Sequence, residues 1–417
     1  MNQQTSLLIN KKFINELEYN LKIFWICISI YCIGSALSIV WDGAAIRIVQ
    51  LFQTVSILVL VYVCYQLIHA KVKNDFLATC LFFYFIWVIF ILFHGLEYNY
   101  SNIKTIIFSQ LPKYFFPLIL LIPKNLKFYS RLFNITLFFA IIYIVLVANY
   151  LDIILTHYEI NVKEKFVFEV FTQELSIPAG FSLLLYAYNK KIKNIGLIIA
   201  VIITLLIGIY NARRAISLFS AINLIVFGII LFINTNKKPL VVLVSMLLFV
   251  IIGVYAQDFI RQSKDSFLQK LMERGTTDTR SGVEEAFKKD FNQVDWIIGR
   301  GINGRYWCPN IDINDSTGYR SMIETDYLNI ILKGGIIQLA LILIIAIPAA
   351  WLALFKSKNQ YSKVAGIWII LWILSLYPLN VYNADLNYLI FWICIGIGYS
   401  NDFRNLSDRK IINAFNE

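Results

Sequence analysis

The sequence predicts an all-α polytopic membrane protein of about twelve transmembrane helices with one large helical loop outside the bilayer. Three observations predict it. Of 417 residues, 59% are hydrophobic and only 15% charged, with a mean hydropathy of +0.66, far from the balance of a soluble domain. About a dozen apolar stretches follow one another, most near the roughly 20 residues that carry a helix across a hydrocarbon core, where backbone polar groups must be satisfied internally. A single long polar interval, 257–325, interrupts them.

The expected spans are 21–40, 46–68, 76–95, 103–122, 132–155, 173–188, 195–210, 215–233 and 240–256, then 326–354, 364–377 and 385–400. The chain therefore divides into 1–256 with nine spans, 257–325 as an extracytoplasmic cap, and 326–417 with three spans and a tail. Pro112, Lys113 and Pro117 interrupt the fourth span. Basic clusters occupy alternate connections: Lys11 and Lys12; Lys71 and Lys73; Lys124, Lys127 and Arg131; Lys190, Lys191 and Lys193; Lys237 and Lys238; Lys356, Lys358 and Lys363; Arg404, Arg409 and Lys410. Because positive loops stay on the cytoplasmic side, both termini are expected there. Residues 1–20 lack the apolar core of a cleavable signal, so the first span is expected to act as its own address.

Composition excludes several function classes. The net charge of +11 sits on that rim, while the cap holds ten Lys/Arg against eleven Asp/Glu. That distribution suits anionic lipid and not nucleic acid. Cys27, Cys32, Cys64, Cys80 and Cys394 fall in expected spans and only Cys308 in the cap, so no disulfide pair or metal-ligand spacing is present there. His69, His94 and His157 are scattered, and no metal or cofactor is expected.

Within the cap, Phe259, Phe267, Leu268, Leu271 and Met272 share one face of an expected helix over 258–274. Ser281 and Glu284 have capping-box spacing ahead of Val283, Ala286, Phe287 and Phe291. Gly299, Gly301 and Gly304 then mark a turn. Their pattern resembles a dinucleotide fingerprint, but no flanking strand–helix unit is available.

The arginine pair Arg213-Arg214 stands between two apolar stretches. One continuous helix would set both near the bilayer centre at roughly 2.5–3.5 kcal/mol each, so the chain is expected to turn there, on the outer side. Guanidinium groups match phosphate oxygens in a bidentate fork, which points to an anionic substrate; snorkelling or pairing with a carboxylate is the structural alternative. Arg280, beside the start of the helix expected at Ser281, suits the same chemistry. Glu324 and Asp326 stand where the cap enters the tenth span. A carboxylate there can serve as general base toward a sugar hydroxyl, or as a helix N-terminal cap. Tyr306, Trp307, Tyr319 and Tyr327 are candidates to stack on sugar or to pack in the fold.

Glu324-Thr325-Asp326-Tyr327-Leu328 through Leu332-Lys333-Gly334-Gly335-Ile336-Ile337, with Trp296-Ile297-Ile298-Gly299-Arg300-Gly301 and Arg280 upstream, resembles the O-antigen polymerase and ligase superfamily. The resemblance is architectural over nearly the whole chain and motif-level from about Asn211 to Gln338. It implies a GT-C-like glycosyltransferase of the bacterial inner membrane, acting at the periplasmic face without metal. Arg213 or Arg214, with Arg280, would hold a lipid diphosphate, and Glu324 would be the base. Arg300, Arg305, Asp326 and Tyr327 are further substrate-binding candidates. The ligase branch typically has histidine at the position of Glu324, so the departure favours a Wzy-type polymerase joining undecaprenyl-diphosphate-linked repeat units, of O-antigen or of capsule or exopolysaccharide. Donor and acceptor would both be lipid-linked, and a chain-length regulator would be the protein partner. Ligase and lipid-linked oligosaccharide flippase are the alternatives.

Overall fold

The structure, a computed structural model, describes residues 3–41, 43–68, 74–97, 99–152, 168–210, 213–235, 238–239, 281–309 and 317–416. The expected ninth span, the amphipathic helix over 258–274 and Arg280 lie outside the described residues. Among those described, seven helices are long and apolar enough to cross a membrane. They lie within α1 (Gln3–Val40), α2 (Gly43–Leu67), α3 (Asp75–Phe93), α6 (Leu126–Asn149), α8 (Lys191–Tyr210), α9 (Arg214–Asn234) and α12 (Asp326–Phe355). The chain is an all-α membrane protein.

Local chemistry sets the helix ends. Asn74 and Asn125 accept the backbone N–H of Leu77 and Phe128 at 2.9 and 2.8 Å, capping α3 and α6. Asn359 and Asp385 do the same for α13 (Gln360–Ser375) and α14 (Leu386–Tyr399), each at 2.8 Å. Burial then separates axis from rim. α14 is enclosed on all sides, whereas α2 exposes Leu51, Phe52, Leu58, Tyr62 and Tyr65, the face a helix turns to lipid.

Two expected spans are not continuous helices. Over 100–121 the chain passes from α4 (Tyr100–Thr105) through a π-helical turn (Ile106–Gln110) into α5 (Leu111–Phe115) and a 3₁₀ segment (Phe116–Leu121). Pro112 and Pro117 donate no backbone N–H, and Tyr31 Oη reaches in to donate to the Phe108 carbonyl at 2.7 Å. The sixth span likewise divides into a π turn (Thr172–Ser176), α7 (Ile177–Leu184) and a 3₁₀ turn (Tyr186–Tyr188). Every residue of α7 is buried, and its Ser182 hydroxyl pairs with Thr136 of α6 at 2.5 Å.

α12 is broken at Gly335, whose φ of 66° and ψ of −176° divide a buried first section from the membrane-length second. The cap is sewn into that break by backbone. It holds α10 (Ser281–Asp290), α11 (Gln293–Ile298) and a two-residue antiparallel ribbon, β1 (Tyr306–Trp307) with β2 (Tyr319–Arg320), a small departure from all-α. The turn after α11 donates Arg300 N–H to Leu332 O at 2.8 Å, Gly301 N–H to Lys333 O at 2.9 Å and Ile302 N–H to Ile91 O at 3.0 Å. Trp87 Nε1 of α3 donates to Gly334 O at 2.8 Å. A Cβ on Gly301 would overlap the His94 carbonyl, and one on Gly335 the Ile297 carbonyl. These glycines therefore serve close backbone approach, as the turn expected from their spacing requires. The reciprocal capping box with both bonds present is Asn292 with Asp295 ahead of α11. In α10, Glu284 accepts the Thr325 hydroxyl at 2.7 Å. Val283, Phe287, Phe291, Tyr306, Cys308 and Ile323 make an apolar core that continues into Leu328, Ile331 and Leu332 of α12. Cap and membrane helix thus share one interior.

Gly301→Ala is expected to lower stability by about 3 kcal/mol or more, combining overlap with His94 and a φ of 77°. Gly43→Ala, at φ 64° with nothing within 4 Å of the new Cβ, is expected to cost about 1 kcal/mol. Thermal unfolding in detergent compares them; equal losses would mean that the suture contributes nothing.

Candidate functional site

The chain turns at the arginine pair, between α8 and α9. Arg213 N–H donates to Gly208 O at 2.8 Å, and Arg213 Nη1 meets Glu169 Oε2 at 3.1 Å. Both side chains are partly exposed, a setting in which an ion pair contributes at most about 1 kcal/mol, and another anion can compete for the guanidinium. Arg214, the first residue of α9, is exposed beside the free amides of the helix start. Glu169 was not singled out from sequence, because its partner lies over forty residues away without periodic relation.

Glu324 is exposed between buried Ile323 and Thr325, at the joint of cap and α12. It lies within electrostatic reach of the Tyr306 hydroxyl, as does Arg320. Thr325 is fixed by its bond to Glu284. Next to this joint, Tyr327 stacks on Tyr377, with ring centroids 6.3 Å apart and planes 17° from parallel. Trp307 and Tyr319 meet edge to face at 5.0 Å on the ribbon, each 45% exposed. Among the described contacts none joins Arg213 or Arg214 to Glu324.

Asp326 and Arg300 are placed otherwise than expected, and Tyr306 takes the packing one of its two expected roles. Asp326 does not stand at a solvent-facing mouth: it is fully buried, and Oδ2 accepts the N–H of Val381 and, at 2.7 Å, of Tyr382. The irregular backbone between α13 and α14 needs acceptors, and the inward face of α12 supplies this one. Tyr306 is buried against Phe287 with its hydroxyl on Met322 O at 3.3 Å, so it belongs to the cap core and not to a stacking surface. Arg300 has all five donors engaged by protein: Nε and Nη2 on Asp295 at 3.0 and 2.8 Å, Nη1 on Asp290 Oδ2 and, at 2.7 Å, Arg305 O, and Nη2 also on Asp290 O at 2.7 Å. Its guanidinium lies 4.6 Å from the Phe291 centroid. Burial disfavours its charge, but Asp295 and Asp290 outweigh burial and raise its pKa. No donor is left for a phosphate. Arg305 is half-exposed and reaches Glu97 at 3.5 Å.

A second group gathers charges that sequence reading did not bring together. Lys113, Asp326, Lys333 and Asp385 are buried and Glu174 is partly so, where segments 100–121 and 172–188 break, α12 begins and α14 is capped. Glu174 Oε1 accepts the Ser35 hydroxyl at 2.8 Å, and Lys333 Nζ donates to Gly304 O at 2.7 Å. Each charge held inside a membrane protein costs roughly 2.5–3.5 kcal/mol on insertion scales, so such groups mark function or tight structural pairing. Asp326 was singled out for the cap joint and Lys113 only as an interruption beside two prolines; Glu174 and Asp385 carried no signal. Among the described residues no group of His, Cys, Asp and Glu is placed to hold a metal ion.

Fold and site together define an integral membrane protein with an ordered polar cap. Protein-family models, curated proteins and solved structures yielded no match to the chain.

Arg300→Lys is expected to loosen the cap while leaving the membrane helices folded, since one ammonium cannot span Asp290 and Asp295. Trypsin should then cut at Lys288 or Lys289 at least tenfold faster than in the wild type. Unchanged cleavage would show that the five bonds do not hold the cap.

Proposed function

We infer that the chain is an inner-membrane glycosyltransferase of the polysaccharide-polymerase kind, joining undecaprenyl-diphosphate-linked repeat units at the periplasmic face. About twelve spans, both termini in the cytoplasm and a GT-C-like arrangement belong to this reading. The observation that carries it is the exposed Glu324 at a joint fixed by backbone to the break in α12, next to the stacked rings of Tyr327 and Tyr377. A rigidly placed carboxylate at the edge of a membrane domain is what an acceptor hydroxyl needs.

In the reaction, the acceptor oxygen attacks the anomeric carbon while its proton passes to the Glu324 carboxylate. The bond from that carbon to the diphosphate oxygen breaks, and the diphosphate leaves with the electron pair. Arg213, Arg214 and Arg280 offset the charge growing on it. Attack opposite the leaving group inverts the anomeric centre. Arg300 and Tyr306 hold the cap that carries Glu324, and Asp326 anchors the start of α12.

A flippase is the second reading, favoured by charged groups on interrupted helices (Lys113 and Glu174). The glycan ladder of a deletion strain separates the two: one retained repeat unit means a polymerase, and loss of all attached glycan means a flippase or ligase. Glu324→Gln is expected to keep binding of the lipid-linked repeat but to slow polymer formation at least about a hundredfold. Wild-type turnover in that variant would remove Glu324 from the mechanism.

A further inference from the structure

Among the described residues Lys113 is a charge that the fold does not explain. It stands on α5, between the π turn and the 3₁₀ segment, and only 8% of it is exposed. Among the described residues its ammonium makes no hydrogen bond and no ion pair. It lies instead 4.7 Å from the Tyr382 ring centroid and 5.4 Å from that of Tyr114. Asp326 is near enough to act on it electrostatically, but one carboxylate oxygen is held by the Val381 and Tyr382 amides.

The polar atoms around it share this condition. Tyr114 Oη, Tyr382 Oη, both amide atoms of Gln338 and Asp326 Oδ1 are buried without a hydrogen-bond partner. Buried polar groups in native proteins are nearly always satisfied. The unused donors are three N–H of Lys113, two tyrosine hydroxyls and two N–H of the Gln338 amide; the unused acceptors are Asp326 Oδ1, Gln338 Oε1 and, three residues on from Asp326 in α12, Asn329 Oδ1. Donors outnumber acceptors, and they surround the Lys113 ammonium. That set fits an anion with several acceptor oxygens and does not fit a metal cation.

We propose that Lys113, Tyr114, Tyr382 and Gln338 form an intramembrane binding site for a phosphate-bearing group, the head of a lipid diphosphate. Of the other charged groups, Lys333 is a second cation, held by Gly304 O; Asp385 caps Tyr388; and Glu174 accepts from Ser35 through Oε1 while its Oε2 is buried without a partner. Asp326 Oδ1 is left to accept from a hydroxyl of the ligand. Only the identity of the lipid rests on the polymerase reading. There, two lipid-linked substrates need two anion sites, and this is a second beside the arginine pair.

The test uses the full chain in nanodiscs of zwitterionic lipid, with Arg213→Ala and Arg214→Ala combined so that the arginine pair does not contribute. The probes are geranylgeranyl diphosphate and inorganic pyrophosphate, each titrated by calorimetry. Lys113→Met is expected to weaken geranylgeranyl diphosphate at least tenfold. Tyr114→Phe and Tyr382→Phe should each weaken it severalfold with no fall in unfolding temperature, because the deleted hydroxyls have no protein partner. Pyrophosphate binding with the same dependence on Lys113 identifies the phosphate as what is recognised; binding of the lipid alone shows that the tail is needed. No binding in the arginine-free background, or affinity unchanged by Lys113→Met and both tyrosine variants, overturns the site. Binding that depends on Lys113 in a protein whose deletion strain still polymerises glycan would keep the site and sink the polymerase reading.

Discussion

The described part of the cap is joined to the membrane helices by one backbone-to-backbone suture. The turn at Gly299–Arg300–Gly301 places its amides on the carbonyls of Leu332 and Lys333, just before the break at Gly335, and Ile302 reaches the end of α3. A helix interrupted inside a membrane protein exposes carbonyls that must find donors. Here a loop from outside supplies them, so the break and the cap stabilise each other. The glycines are required by proximity, since any Cβ at Gly301 or Gly335 would overlap a facing carbonyl. Glu324 owes its fixed position to this arrangement, lying between the cap core and the anchored start of α12.

Two arginines and a lysine show how differently a cation is used in one chain. Arg300 is saturated by two carboxylates and two carbonyls, and its stack on Phe291 completes a structural knot. Among the described residues Arg213 pairs with one partly exposed carboxylate, which leaves its charge accessible to another anion. Lys113 has aromatic rings around it and, among the described residues, engages no acceptor. Residue type alone distinguishes none of these; the number of donors already engaged does.

Helices with uniform apolar faces were legible in the sequence: 76–95 was expected and α3 covers Asp75–Phe93, and 215–233 corresponds to α9 at Arg214–Asn234. Segments 103–122 and 173–188 read as spans because hydropathy does not register a π or 3₁₀ turn, and their polar contacts come from α1 and α8. The turn at Arg213 was legible from the cost of burying two arginines, and the turn at Gly299 from glycine spacing. The partners of Arg300 were not, since Asp290 and Asp295 meet it only after α10 and α11 fold back. Asp326 and Glu324 are two residues apart yet face opposite environments. In extended chain a spacing of two sets side chains on one face, but here a helix begins between them.

α14 has a geometric consequence of its own. Its 14 residues rise about 21 Å, against roughly 30 Å of hydrocarbon. A helix open to lipid meets such a shortfall by thinning the bilayer. α14 is enclosed by protein on every side, so the shortfall is made up by the chain's own non-helical backbone, which precedes it and whose amides at Val381 and Tyr382 are satisfied by the Asp326 carboxylate rather than by water.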